Sequence, residues 1–406
     1  MNSFIKRIFI ILVLLIFVTA FSSSYVSLRI DNLAFVVALG IDVADNNNLK
    51  VSFEFTDIGS VSENGSASES SSVINTVVSS SLDSAISMMN GFISKQLSLS
   101  HCKLIIFSEE FAQRGVSHEI YTLINNPQIR PSTNIVISKI DAESYIKYSE
   151  PALEHLESKY YEIFPSSSKY TGYTVNATIG DFFNGLVCET CEPFAILGGI
   201  NDSSNSNSNA SSNNAEAISN ATTLTGKRLT ENIGVAVFKD DKLVGELNAI
   251  ETLSFLLLKN SVDSFEVSIP NPNTQEEENI DIYLYHDVDT KINLDITNGA
   301  PHAKIDINLT GKISSVSNNS DYDDNNQLST ISNSVNNYLE SIISSYLYRT
   351  SREFNSDINN IGRHGRSQFL TLNDYENFDW LENYKNCTFE VNVDTNVKSG
   401  FLITET

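Results

Sequence analysis

The chain has 406 residues, of which 41% are hydrophobic, so it is long enough and apolar enough for two or three domains with buried cores. Its 26 Lys and Arg residues against 50 Asp and Glu residues give a net charge of −24. This charge argues against a nucleic-acid-binding protein, because phosphates would be repelled, and it disfavours electrostatic docking onto anionic lipid. Four cysteines are too few for a fold built on disulfides in a chain of this length.

The N-terminus has the pattern of a membrane-targeting helix. Lys6 and Arg7 precede an apolar run over residues 8–21. A basic segment followed by an apolar one directs a chain to the membrane. The body of the protein is then exported across that membrane. The run is short for a complete span of the bilayer.

The first half of the chain alternates between strand and helix patterns. Residues 34–41 predict a buried strand, and residues 50–56 predict a half-buried strand, because Val51, Phe53 and Phe55 fall on one face. A loop is predicted over residues 59–72. Six apolar residues at a spacing of three or four then predict one helix: Ile74, Val78, Leu82, Ile86, Met89 and Ile93. The other predictions are strands over 99–107, 134–138 and 194–200 and helices over 109–115 and 141–164.

The second half begins after a polar segment. Residues 201–223 are almost wholly Ser, Asn and Ala, which predicts a disordered linker. Residues 233–247 predict a β-hairpin that opens a new domain core, followed by a helix with Asn248 as N-cap and Glu251 completing a capping box. Further strands are predicted over 265–269, 280–285, 292–296, 303–313 and 389–393, with a long helix over 328–354. Strands in bursts between helices indicate an α+β fold with mixed sheets packed against helices.

Several of these stretches resemble one known family, the spore germinant-receptor C-subunit (GerAC-like) proteins. The resemblance lies in residues 30–42, 99–115, 126–130, 233–252 and 356–380. It implies an N-terminal domain, a smaller middle portion and a C-terminal domain. We therefore predict an anchor segment over 1–24, a germination-protein domain over 25–200, a linker over 201–226 and a second domain over 227–406.

The resemblance also implies a function. It predicts a non-enzymatic subunit on the outer side of the inner spore membrane, beside integral-membrane A-type and B-type subunits, acting in assembly and signal coupling during nutrient-triggered germination. Family members usually carry a lipid on an N-terminal cysteine. In this chain Ser24 stands at that position, and a serine cannot form the thioether, so we expect the peptide segment itself to be the membrane anchor.

Few residues have the pattern of a chemical site. Cys188 and Cys191 form a CxxC, which is compatible with a redox pair, half of a zinc site, a local disulfide or two free thiols. His101 and Cys102 are adjacent, but a nucleophile and its base need a third, orienting group, so packing is the expected role. No phosphate-binding, dinucleotide-binding or nucleophile-elbow motif occurs. We therefore predict no catalytic residue, no cofactor and no metal.

Three basic residues are predicted to contact a protein partner: Arg130, which follows an Asn-Pro turn, and Lys239 and Lys242, which flank the hairpin turn. Two other functions stay open at this point. An exported, membrane-anchored solute-binding protein would have a deep polar cleft between its halves. A cell-envelope hydrolase would have carboxylates with shifted pKa values in a cleft.

Overall fold

A computed structural model describes residues 2–21, 30–56, 72–149, 156–201, 217–219, 230–273, 278–296, 300–316 and 324–399. The strands are β1 Leu33–Ala44, β2 Asn48–Phe55, β3 Val73–Ser79, β4 Gln96–Ser98, β5 Leu104–Ser108, β6 Asn134–Ser138, β7 Phe194–Ile200, β8 Thr230–Glu231, β9 Val235–Lys239, β10 Lys242–Leu247, β11 Ser264–Pro270, β12 Asn279–Tyr285, β13 Lys291–Asp295, β14 His302–Val316 and β15 Thr388–Lys398. The helices are α1 Asn2–Phe21, α2 Leu82–Phe92, α3 Glu109–Arg114, α4 Ser117–Asn125, α5 Ala142–Tyr148, α6 Glu157–Ile163, α7 Ser168–Thr171, α8 Ile179–Leu186, α9 Ala249–Leu258, α10 Asn325–Arg349, α11 Leu372–Phe378 and α12 Trp380–Asn383. The fold is α+β, as the sequence predicts.

The larger sheet is formed by strands of the first half of the chain together with β8, β9 and β10 of the second. Its strand order is β10-β9-β7-β6-β5-β1-β2-β3, with β4 beside β1 and β8 beside β7. Its centre is parallel, because β1, β5, β6 and β7 all run in the same direction. The strands β5 and β6 are buried along their whole length. Full burial is typical of parallel strands that are covered on both faces.

The predicted hairpin and its following helix are confirmed. Asp240 makes the turn between β9 and β10 in the left-handed conformation (φ 53°). Asn248 caps α9 by accepting from the Glu251 N–H, and the Glu251 carboxylate accepts in return from the Asn248 N–H. The hairpin does not open a separate core, however. β9 pairs with β7, where Phe194 lies opposite Val237, so the hairpin extends the larger sheet.

The smaller sheet contains β11, β12, β13, β14 and β15, and the helix α10 packs against it. The long strand β14 has β12 and β13 on one side and the parallel strand β15 on the other. Side chains of α10 bond the edge of β15: the Val393 N–H donates to Glu340 Oε1 at 3.0 Å, and the Val397 N–H donates to Ser332 Oγ at 3.2 Å. The helix thus covers an edge that would otherwise expose unpaired backbone groups.

The helix predicted over Ile74, Val78, Leu82, Ile86, Met89 and Ile93 is wrong in its first part. Residues Val73–Ser79 form β3, and only Leu82–Phe92 form a helix. A spacing of four places Ile74 and Val78 on one face of a strand as well as of a helix, and the stretch is rich in β-branched residues, which favour strands. Ser81 then starts α2 by accepting from the Ser84 N–H at 3.2 Å.

The strand β2 is buried on both faces, whereas the sequence predicts burial of one. Ser52 and Glu54 point away from Phe53, and both are buried. The Ser52 hydroxyl bonds the Thr76 hydroxyl at 3.0 Å, and Glu54 Oε2 accepts from the Tyr161 hydroxyl at 2.9 Å. The second face is covered because α6, more than a hundred residues further along the chain, brings Tyr161 onto it.

The polar segment after β7 is described only in part, since residues 202–216 lie outside the described residues. Within 217–219, Ser219 is fully buried. Its hydroxyl donates to the Leu197 carbonyl at 3.0 Å and accepts from the Ile233 N–H at 2.7 Å. This part of the predicted linker therefore packs against the larger sheet.

The predicted membrane segment coincides with α1, Asn2–Phe21. Across the described ranges, no helix combines the length and the apolar character needed to cross a membrane. Ser24 lies outside the described residues.

Candidate functional site

The disulfide loop, the hairpin turn of the larger sheet and the segment that follows α10 meet at a set of polar contacts, most of them buried. We name this set the junction, and it consists of residues 188–193, 238–240, 355–362 and Trp380. A disulfide between Cys188 and Cys191 closes the first of these segments, so one of the four possibilities for the CxxC is realised. Inside the disulfide loop, the Thr190 hydroxyl donates to Asn360 Oδ1 at 2.8 Å. The loop thereby contacts the second half directly.

Glu192 ties the disulfide loop to both other segments. Its N–H donates to the Asp357 carbonyl at 3.1 Å, and its Oε2 accepts from the Asp240 N–H at 2.7 Å. The Ser356 hydroxyl donates to the Phe238 carbonyl at 2.5 Å and so joins the other two segments to each other directly. Burial raises the pKa of Glu192 to about 7, although the bond from the Asp240 N–H opposes that shift.

Asp357 is the centre of the junction and is fully buried. Its Oδ2 accepts from the Trp380 indole N–H at 2.7 Å and from the Gly362 N–H at 3.0 Å. Burial raises the pKa of Asp357 to about 6, and the hydrogen bonds to its carboxylate limit the rise. A buried aspartate with two donors holds the turn and the tryptophan in one arrangement.

Two glycines, one in the junction and one in β10, allow close packing of aromatic rings. A Cβ on Gly362 would overlap the Trp380 indole, and a Cβ on Gly245 would overlap the Phe354 ring. Both glycines lie within stretches that resemble the family, and at both positions the backbone approaches an aromatic ring too closely for a side chain to fit.

The three basic residues predicted as partner contacts lie at one end of the larger sheet. Arg130 is exposed just before β6, and Lys242 is exposed just after the hairpin turn. The strands β6 and β9 flank β7 and β9 runs antiparallel, so both residues lie near the start of β7. Lys239 differs from the other two, because its Nζ pairs with Glu382 Oε1 in α12 at 3.4 Å.

Comparison with known proteins decides the family. Residues 27–200 match the spore germination protein N-terminal domain, and residues 233–400 match the domain described as spore germination B3/GerAC like, C-terminal. The chain belongs to the GerAC-like spore germination family. Spore germination protein KC of Bacillus subtilis (strain 168) is 22% identical over 323 residues, which are 78% of this chain and 77% of that protein. The crystal structure of the GerBC protein has the same fold, with a TM-score of 0.51 at 16% identity over 88% of this chain and 96% of that chain.

The family gives the chain a role in spore germination. Two of the stretches that resemble the family lie far apart in the sequence and meet in the fold. The hairpin residues around Phe238 and the stretch from Ser356 to Trp380 come together at the junction. Their shared property is a structural one, since they join the two halves of the protein.

Cys102 and His101, the other residues considered for a chemical role, do not form a site together. Cys102 is buried, its thiol donates to the Leu104 carbonyl at 3.4 Å, and burial raises its pKa to about 12. A thiol in this state is a poor nucleophile. His101 is exposed, and its ring contacts the Phe35 ring edge-on at 4.6 Å between centroids. In the part of the chain that the structure describes, no group of three or more His, Cys, Asp and Glu residues could hold a metal ion.

Sequence reasoning missed the two most unusual carboxylates, Glu54 and Glu192. Each is buried, and burial raises the pKa of each, to about 8 for Glu54 and to about 7 for Glu192. A weak signal existed for Glu192, because it directly follows Cys191 and precedes Pro193, so the chain around it is constrained. For Glu54 the alternating pattern pointed the other way, because it predicted a solvent-facing position.

Proposed function

We propose that this protein is a non-enzymatic, extracytoplasmic subunit of a spore germinant receptor, which supports assembly of the receptor and couples its signal. It would lie on the outer side of the inner spore membrane, beside the A-type and B-type membrane subunits. The observation that carries the proposal is the junction. It joins the disulfide loop, the hairpin of the larger sheet and the segment that leads to Trp380 through buried hydrogen bonds, as a protein that transmits a docking event requires.

The contacts of the junction support this role because they are short, numerous and buried. Thr190, Glu192 and Ser356 each bond across it, and Asp357 fixes Trp380 behind it. Such a network has few alternative arrangements, since every lost bond leaves a polar group buried without a partner. A force or displacement at one sheet would therefore reach the other sheet without being absorbed by loops.

The docking surface is proposed at the exposed end of the larger sheet, where Arg130 and Lys242 are found. A protein with a net charge of −24 has few basic positions, so these two are natural contacts for acidic groups of a partner. Each exposed charge should contribute about 1 kcal/mol or less, because water and salt screen it. Reversal of both charges adds repulsion and should weaken the complex more strongly than removal.

The test is co-purification of the receptor subunits with the double variant Arg130→Glu/Lys242→Glu, together with a thermal melt. We expect reduced recovery of the membrane subunits, slower nutrient-triggered germination and an unchanged melting temperature. Lys291→Glu/Lys398→Glu is the matched control, because it makes the same charge change on exposed residues of the smaller sheet. Full recovery of the complex with the first variant would place the interface elsewhere. A lower melting temperature would show that the two residues are structural.

Membrane retention by the N-terminal segment is part of the same proposal. Lys6 and Arg7 precede the apolar residues of α1, and Ser24 replaces the cysteine that would carry a lipid. Deletion of residues 2–21 should therefore move the protein from the membrane fraction to the soluble fraction. Incorporation of a labelled fatty acid into the intact protein, or a mature N-terminus shortly after Ala20 in a soluble form, would contradict this anchoring.

A further inference from the structure

A cleft of about 400 Å³ opens in the first half of the chain, away from the junction. It lies where the parallel strands β5 and β6 end, beside Asp42 near the end of β1. The crevice at the carboxyl ends of parallel strands is the usual ligand position in open sheets of this kind. The volume is in the range of pockets that hold small organic molecules.

The two ammonium groups that line the cleft are already paired. Lys50 Nζ lies 2.7 Å from Glu143 Oε2, and Lys139 Nζ lies 2.5 Å from Glu246 Oε2. Asp42 is also engaged, because its carboxylate accepts from the Ala142 N–H at 2.7 Å. None of these groups is therefore free to become the main contact of a ligand.

Two other lining groups remain available. Ser108 is only 6% exposed, and its hydroxyl makes no hydrogen bond with any residue that the structure describes, although it stands at the N-cap position of α3. Glu109, the next residue, is half-buried and accepts from Gln113 Nε2 at 3.1 Å. Among the described side chains, no Lys or Arg pairs with Glu109. Burial raises the pKa of this carboxyl, the charge of Glu246 adds to the rise, and the charge of Lys139 opposes it.

The charge of the cleft determines which ligand charge it favours. Four carboxylates, Asp42, Glu109, Glu110 and Asp141, line the cleft together with two ammonium groups. Arg114 pairs with Glu110, but the two ammonium groups pair with further carboxylates, so negative charge remains in excess. The potential of a chain with a net charge of −24 adds to this excess of negative charge. A cationic ligand is favoured, and a metal ion is not, because the described residues contain no group of three or more His, Cys, Asp and Glu side chains that could hold one.

We propose that this cleft binds a small organic amine in its ammonium form, whose N–H groups donate to the Glu109 carboxylate and to the Ser108 hydroxyl. The ligand supplies the positive charge that Glu109 lacks and a donor for a buried hydroxyl. The docking function proposed above does not need such a site, so each proposal can be wrong without affecting the other.

Four probes of similar size and different charge test the site on the full-length protein: ethanolamine, ethylene glycol, glycolate and glycine. Titration calorimetry or ligand-observed NMR should show that ethanolamine binds at least about tenfold more tightly than ethylene glycol, since a hydrogen bond to a charged group is worth about 1.5–3 kcal/mol. Glycolate should not bind, and glycine should bind more weakly than ethanolamine. Equal binding of ethanolamine and ethylene glycol, no binding of ethanolamine, or a preference for glycine or glycolate would overturn the proposal.

Two variants locate the binding. Glu109→Gln should weaken ethanolamine binding about tenfold, and Ser108→Ala should weaken it a few-fold. Glu376→Gln, an exposed carboxylate far along the chain in α11, is the matched control and should leave the affinity unchanged. A thermal melt checks that each variant folds. If both cleft variants fold and bind ethanolamine as the unaltered protein does, the amine does not bind in this cleft and the proposal fails.

Discussion

Replacing Glu54 by Gln should make the protein more stable at alkaline pH and change its stability little at acidic pH. The Glu54 side chain is 1% exposed, and it accepts from the Tyr161 hydroxyl at 2.9 Å. Burial raises its pKa to about 8, the charge of Glu157 acts in the same direction, and hydrogen bonds from Tyr161 and Ser72 oppose it. The folded protein therefore holds this proton at neutral pH, whereas the unfolded chain releases it.

The sign and size of the effect follow from the two pKa values. Below the ordinary value of 4.5 both states are protonated, so Glu54 adds no pH dependence. Between 4.5 and about 8 only the unfolded state is ionised, and the free energy of unfolding falls by about 1.4 kcal/mol per pH unit. The loss reaches about 5 kcal/mol at most and is constant above that window. Gln cannot ionise and keeps an oxygen for Tyr161, so the variant avoids this loss.

Urea unfolding of both proteins at about pH 5, 7 and 9 measures the difference in the free energy of unfolding. We expect the advantage of Glu54→Gln to grow steadily with pH and to exceed 2 kcal/mol, roughly, at the highest value. Glu376→Gln, at an exposed position, is the control and should show no such trend. An advantage that is the same at all three pH values would refute the reasoning, because it would mean that Glu54 ionises as an exposed glutamate does.

Three further outcomes are expected. Gly362→Ala should lower the free energy of unfolding by about 1–3 kcal/mol, because its Cβ overlaps a buried indole, whereas Gly91→Ala, with open space around its Cβ, should cost nothing in the same thermal melt. Reduction of the Cys188–Cys191 disulfide should cost about 2 kcal/mol or less, because the loop it closes is short, and a melt with and without reductant measures it. Shortening residues 202–216 to a few Gly and Ser residues should leave the melting temperature and germination unchanged, and a drop of several degrees would show that this stretch packs.

Local sequence signals are sufficient to predict those strands and helices whose ends are marked by neighbouring residues. The strands β6 and β7 were predicted at their observed bounds, because apolar runs there are bounded by polar turns. The start of α9 was predicted from Asn248 and Glu251 alone, since a capping box involves only near neighbours. In these places the local sequence and the fold agree.

Predictions failed where a distant partner decided the outcome. The burial of Glu54 depends on Tyr161, which is 107 residues away and does not alter the alternating pattern of β2. The spacing of apolar residues in β3 also fits a helix, and nothing in residues 74–78 shows that β2 pairs with them. The sequence does not indicate the junction for the same reason, because Glu192 and Asp357 are far apart in the chain and bond each other only in the folded protein.

The boundary between the two family matches does not coincide with the boundary between the two sheets, because the hairpin strands cross it. The C-terminal family match begins at residue 233, yet β9 and β10 complete a sheet that belongs to residues 27–200. An N-terminal fragment cut between the two matches would lose β9, the strand beside β7. The backbone groups of β7 would then be unpaired along that edge, which promotes aggregation. The other fragment would carry a hairpin with nothing to pair with. Expressed together, the two pieces should complement each other in trans, with the hairpin of one inserted beside β7 of the other.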